Sequence, residues 1–158
     1  MDQRQVFDVL VIGSGAAGLA VALNVADHAK VAILSKDTLD SGSTRWAQGG
    51  IAAVLDSNDS VQAHIDDTLN AGAGLCNFNA VKHTVENSEA AIKWLIEQQV
   101  QFSKDNNDEY HLTKEGGHSH RRIIHAADAT GVAVSQALIS QAINHPNISL
   151  FEKRMALD

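Results

Sequence analysis

The chain has 158 residues, 44% of them apolar, a single proline, and a formal net charge of −7 from 12 basic and 19 acidic side chains. That length and composition fit a globular domain with a core of its own and exclude a disordered chain. The acidic balance, with no basic cluster or aromatic ladder, excludes a nucleic-acid partner.

No apolar run is long enough to cross a bilayer, and the N-terminus lacks the layout of a signal peptide, so a cytoplasmic protein with no membrane association is expected. The one cysteine, Cys76, cannot form an internal disulfide. It suits a reducing compartment and reads as a small buried apolar residue.

In chain order, Val6 to Ile12 reads as a buried parallel strand. Gly13, Gly15 and Gly18 follow with the G-x-G-x-x-G spacing, and Ala16 to Ala26 continues as an apolar helix. A strand–turn–helix in this order is a dinucleotide cradle: the first glycine permits the turn, the second lets backbone approach a pyrophosphate, and the third lets helix and strand pack closely. The cradle takes in Ser14, Ala16 and Ala17, whose amides lie at the positive end of the helix dipole.

Lys30 to Leu34 is the second strand, closing a β–α–β unit. At its end, where many nucleotide-binding folds place an acid, stand Ser35 and Lys36. Two readings hold for this pair: a ribose-binding hydroxyl with a phosphate-neutralising ammonium, or a solvated strand end. Asp40 to Ile51 is rich in glycine and small polar residues and reads as a ligand-lining loop.

Asp59 or Ser60 caps the next helix, with Val61, Ile65 and Leu69 on one face and Gly72 and Gly74 at its end. Asn79 caps another, whose apolar face runs Val81, Val85, Ile92, Leu95 and Ile96, with Trp94 as packing. Ser103 to Glu109 is a polar loop or hairpin tip. A final helix, capped by Asp128 or Thr130, carries Val134, Leu138, Ile139 and Ile143 and stops near Pro146. Ile148 to Phe151 is a short strand.

Charge and histidine concentrate between Tyr110 and Arg122. Glu115, His118, His120, Arg121 and Arg122 read either as an ionic substrate site or as an exposed charged loop. His118, His120 and His125 lack the second cluster that a structural zinc site requires, so no metal is expected.

The runs Ile12 to Leu19, Leu34-Ser35-Lys36, Gly42-Ser43-Thr44, Ala47 to Val54, Asp67-Thr68-Leu69, Ala71 to Gly74, Glu115 to Arg122 and Ala126 to Gly131 together resemble the L-aspartate oxidase family. These are flavoproteins of the succinate dehydrogenase/fumarate reductase superfamily, and the resemblance runs over the whole chain. It implies an α/β fold, a Rossmann-like FAD-binding domain of the glutathione-reductase type with a parallel sheet and flanking helices, here incomplete. Residues 1–158 would be the amino-terminal part of that single domain, without the capping and carboxy-terminal helical domains. The chain is therefore expected to be a fragment without turnover of its own, and its open sheet to favour self-association.

The resemblance also implies FAD as cofactor. Ser14 to Ala17 would meet the pyrophosphate and Lys36 the ribose. Ser43, Thr44, Arg45, Trp46, Ala47, Gln48, Gly49 and Gly50 would wrap the flavin and ribityl chain, and Met155 and Ala156 would offer backbone to the adenine side. The succinate and fumarate relatives carry a flavin-linked histidine where this chain has Ser43, so FAD is expected to be non-covalent. They also have an uncharged residue where this chain has Glu115, whose carboxylate suits a substrate ammonium group. The implied reaction is oxidation of L-aspartate to iminoaspartate with oxygen or fumarate as acceptor, with a link to quinolinate synthase in NAD biosynthesis. Glu115 would orient the substrate, while the roles of His118, His120 and Arg121 stay open. The alternatives are a succinate dehydrogenase or fumarate reductase flavoprotein subunit, or a non-catalytic flavin-binding fragment.

Overall fold

A computed structural model describes residues 5–127 and 129–157. In chain order its elements are β1 (Val9–Ile12), α1 (Ala16–Val25), β2 (Val31–Leu34), a 3-10 turn (Ser43–Trp46), β3 (Ile51–Ala52), α2 (Val61–Ala71), α3 (Phe78–Glu86), α4 (Ser88–Glu97), β4 (Leu112–Thr113), β5 (Ile123–Ile124), α5 (Thr130–Asn144) and β6 (Ile148–Phe151). They divide into two compact units, Met1–Ala47 with Gly131–Asp158, and Gln48–Thr130.

The first unit is built on a parallel sheet of order β1-β2-β6. Val31, Ala32 and Ile33 of the central strand are all buried, as a continuous apolar run in a covered parallel strand should be. The first strand departs from expectation. It starts at Val9, and as the edge strand of this sheet it leaves Leu10 58% and Ile12 68% exposed, so only alternate side chains are buried. Leu19 and Ala22 of α1, with Ala26 at its C-cap, close the core. On α5 the buried stripe is Val134, Leu138 and Ala142, an i, i+4 ladder, while Ile143, read as an inward residue, is 58% exposed. Thr130 lies inside this helix, its hydroxyl accepting the Ala126 N–H at 3.1 Å; Asp128, the other expected cap, lies outside the described residues.

The second unit packs α2 against α3 and α3 against α4 beside a small antiparallel sheet of order β3-β5-β4. One expected helix is two here. Asn77, not Asn79, caps α3 by accepting the Ala80 N–H at 3.0 Å. Asn87 then interrupts the run, turning its side-chain amide back onto the His83 carbonyl at 2.8 Å. Such local side-chain bonding competes with helix continuation. The Ser103 to Glu109 excursion is a hairpin tip closed by a Lys104–Tyr110 bridge.

Candidate functional site: a nucleotide cradle and a buried ionic cluster

Gly13 sits at φ +109°, a conformation costly for any residue with a side chain, and donates its N–H to the Leu34 carbonyl at 2.8 Å. That bond ties the turn to the end of β2. A Cβ on Gly18 would lie 2.2 Å from the Gly13 carbonyl oxygen, so glycine is what lets α1 start this close to the turn. Gly15 is the N-cap residue of α1 and offers no capping side chain. The cap comes instead from across the unit, where Thr44 Oγ1 accepts the Ala16 N–H at 2.9 Å. Ala17 and Gly18 lie in the first turn, where amides have no intrahelical acceptor.

Ser14 and Ser35 are both buried, and their hydroxyls meet at 3.0 Å. Ser14 donates its one hydroxyl hydrogen to the Leu39 carbonyl at 2.8 Å and so accepts from Ser35, whose hydroxyl also lies 3.3 Å from the Thr38 carbonyl. The strand-end serine thus braces the glycine turn against the segment after β2. Lys36, Met155 and Ala156 are exposed. In the 3-10 turn, Arg45 is ion-paired with Asp40 and the Trp46 ring is 74% exposed. Ser43, Ala47, Gln48 and Gly49 are exposed as well, and Gly50 is half-buried.

The second unit holds a cluster that the linear sequence conceals. Arg122 is fully buried; its Nε and Nη2 reach Asp59 at 2.8 Å each, and its Nη1 reaches Asp67 at 2.8 Å. This overturns Arg122 as a member of an ionic substrate site, because its guanidinium is consumed inside the fold. Asp59 is not the helix cap either: Ser60 accepts the Ala63 N–H, leaving Asp59 for Arg122. Burial pushes the Asp59 carboxyl up, but the Arg122 fork and the Ser60 N–H outweigh it and the net direction is down. Asp67 accepts the Ser119 N–H at 2.6 Å and its hydroxyl at 2.7 Å. These bonds, with Arg122 behind them, hold Asp67 down to about 2.

Together these bonds latch the Gly116–Ser119 segment onto α2. Glu115 is exposed just before it, its carbonyl accepting the His118 N–H at 3.2 Å. A cavity of about 280 Å³ lies beside the latch, lined by His64, Asp67, Thr68, Gly116, Gly117 and His118 among others. His64 is buried, which, with the nearby charge of Arg122 and then His118, pushes its imidazole below the usual range. Arg121 reaches the Leu112 carbonyl at 3.2 Å, and His120 approaches Asp59 at 3.5 Å. Among the described residues, no group of three or more His, Cys, Asp or Glu side chains is placed to hold a metal ion, and no helix is long and apolar enough to cross a membrane.

The model of the FAD-binding domain family matches residues 8–158. The chain belongs to that family. L-aspartate oxidase of Pseudomonas aeruginosa is 58% identical over all of this chain and 31% of its own length, and the chloroplastic L-aspartate oxidase of Arabidopsis thaliana is 44% identical over 96% of this chain and 23% of its own. Among solved structures, an E. coli quinol fumarate reductase chain superposes with a TM-score of 0.91 at 30% identity, over 96% of this chain and 26% of that one. The chain thus spans less than a third of the length of these relatives.

The residues of this FAD-binding domain fit the cofactor. Its turn is shaped by Gly13 and Gly18, where a side chain would be strained or would strike the backbone. The space this leaves above the first-turn amides suits a pyrophosphate.

Proposed function

We propose that this FAD-binding domain holds FAD without a covalent link and serves the oxidation of L-aspartate to iminoaspartate. The observation that carries this reading is 58% identity, over the whole chain, to a protein named L-aspartate oxidase. Gly13 to Gly18, with Ser14, Gly15, Ala16 and Ala17, would hold the pyrophosphate, Ser35 and Lys36 the ribose side, Ser43 to Gly50 the flavin and ribityl chain, and Met155 and Ala156 the adenine side. Ser43 has a hydroxyl where a covalent link would need an imidazole. FAD, when bound, supplies the acceptor for the hydride leaving the substrate Cα. Glu115 orients the substrate by pairing with its ammonium group, and oxygen or fumarate takes the electrons in turn. The product would pass to quinolinate synthase in the cytoplasm.

By itself the 158-residue chain would hold FAD weakly and self-associate without turnover. The second reading, a fumarate reductase or succinate dehydrogenase flavoprotein, draws on the TM-score of 0.91 to quinol fumarate reductase. Anaerobic mixing separates the two in a protein where this chain is continued to its relatives' full length. L-aspartate should bleach the visible flavin band and succinate should not. Bleaching by succinate alone would transfer the assignment to the dicarboxylate relatives.

A further inference from the structure

The loop expected to wrap the flavin is fixed through Thr44, one of its own residues. Thr44 joins three parts of the first unit. Its hydroxyl caps α1 at Ala16, its carbonyl accepts the Ala47 N–H at 3.1 Å, and that same carbonyl faces Gly131 in the first turn of α5. Gly131 donates its N–H to the Ala47 carbonyl at 2.9 Å. A Cβ at Gly131 would lie 2.0 Å from the Thr44 carbonyl oxygen, 2.6 Å from that of Ala47 and 3.0 Å from the Ala47 Cβ. The nearest two obstacles are backbone atoms, which cannot swing aside as a side chain can. The approach that needs glycine here is therefore between α5 and the Ser43–Trp46 turn.

We infer that Gly131 is a positioning residue for the cofactor: by letting α5 seat against Thr44 and Ala47, it sets where the 43–47 part of the flavin-wrapping loop stands relative to the α1 N-terminus. The inference rests on the proposed assignment of residues Ser43 to Gly50 to FAD. Gly131→Ala would push the backbone of residues 44–47 away and take with it both the Thr44 cap on α1 and the loop's approach to the flavin.

The test compares FAD with ADP, which has the pyrophosphate but no flavin, on wild-type protein and on Gly131→Ala, Thr44→Val and Thr44→Ser, normalised to folded protein by circular dichroism. Gly131→Ala should weaken FAD by about tenfold or more, the effect of overpacking by a methyl against fixed backbone, and ADP by clearly less. Thr44→Val, lacking the cap acceptor, should weaken both ligands by about fivefold, one hydrogen bond's worth, and Thr44→Ser should restore them. Equal losses of FAD and ADP in Gly131→Ala would mark a merely structural role and overturn the inference, as would unchanged FAD affinity. If Gly131→Ala does not fold, wild-type affinity in Thr44→Val overturns it instead. A wild-type protein that binds ADP but not FAD would remove the loop assignment beneath the inference, a result distinct from any of these.

Discussion

The Arg122 guanidinium and the Asp59 carboxylate meet fork to fork, Nε on Oδ2 and Nη2 on Oδ1 at 2.8 Å each, with side chains only 0% and 1% exposed. Removing one partner of such a pair strands the other in a place water does not reach. Arg122→Met should therefore cost about 3–5 kcal/mol in urea unfolding. Arg122→Lys should recover only part of it, because an ammonium cannot match both carboxylate oxygens. A loss under about 1 kcal/mol for Arg122→Met would show that the cluster does not hold this unit together.

Asp67 gives the protein an acid-sensitive latch. Its carboxyl, ordinarily near 3.8, is held down to about 2, first by the Ser119 N–H and hydroxyl and then by Arg122. A carboxylate depressed in the folded state stabilises the fold above its unfolded pKa, and that stabilisation is lost as pH falls through the folded value. Stability should thus fall between about pH 4 and pH 2, and Asp67→Asn should flatten that part of the profile. An unchanged acid limb in Asp67→Asn would contradict the account.

His64 acts in the same direction at higher pH. Burial, aided by Arg122 and His118, lowers its pKa from the ordinary 6.5, so the unfolded chain takes up a proton there before the folded one does. Stability contributed by the neutral imidazole is complete above about pH 6.5 and declines as pH falls below it. His64→Gln should remove this decline while leaving the lower, Asp67-dependent limb in place. Equal slopes between pH 6.5 and 5 in both proteins would exclude His64 as the source.

Gly18 tests the turn itself. A methyl there would meet the Gly13 carbonyl oxygen at 2.2 Å and the Val11 Cγ1 at 3.1 Å, whereas one at Gly116 would meet nothing within 4 Å. Gly18→Ala should lower stability by about 1–3 kcal/mol and weaken FAD, and Gly116→Ala should leave stability within about 0.5 kcal/mol. Thermal melts of the two variants provide the check.

What could be read from the sequence follows from how local each signal is. The glycine turn, α1 and the parallel strands announce themselves within a few residues, by spacing and by continuous apolar runs. The exposure of Leu10 and Ile12 could not be read that way, since edge and central strands share composition. β3, β4 and β5 are two residues each, too short for any periodicity to register. The break between α3 and α4 turns on which of three asparagines caps, a choice made by backbone geometry at Asn77 and Asn87. The Arg122 cluster was the least visible, because its partners Asp59 and Asp67 lie 63 and 55 residues away. The available hint was an acid directly before a Ser cap, free to point elsewhere.

On the proposed reading, the turn at Gly13 to Gly18 and the loop carried by Thr44 would form a non-covalent FAD site. Calorimetric titration of the purified protein with FAD, followed by acid precipitation, addresses it directly. One FAD should bind per chain, and all of it should appear in the acid supernatant. No binding, or flavin that precipitates with the protein, would contradict the account.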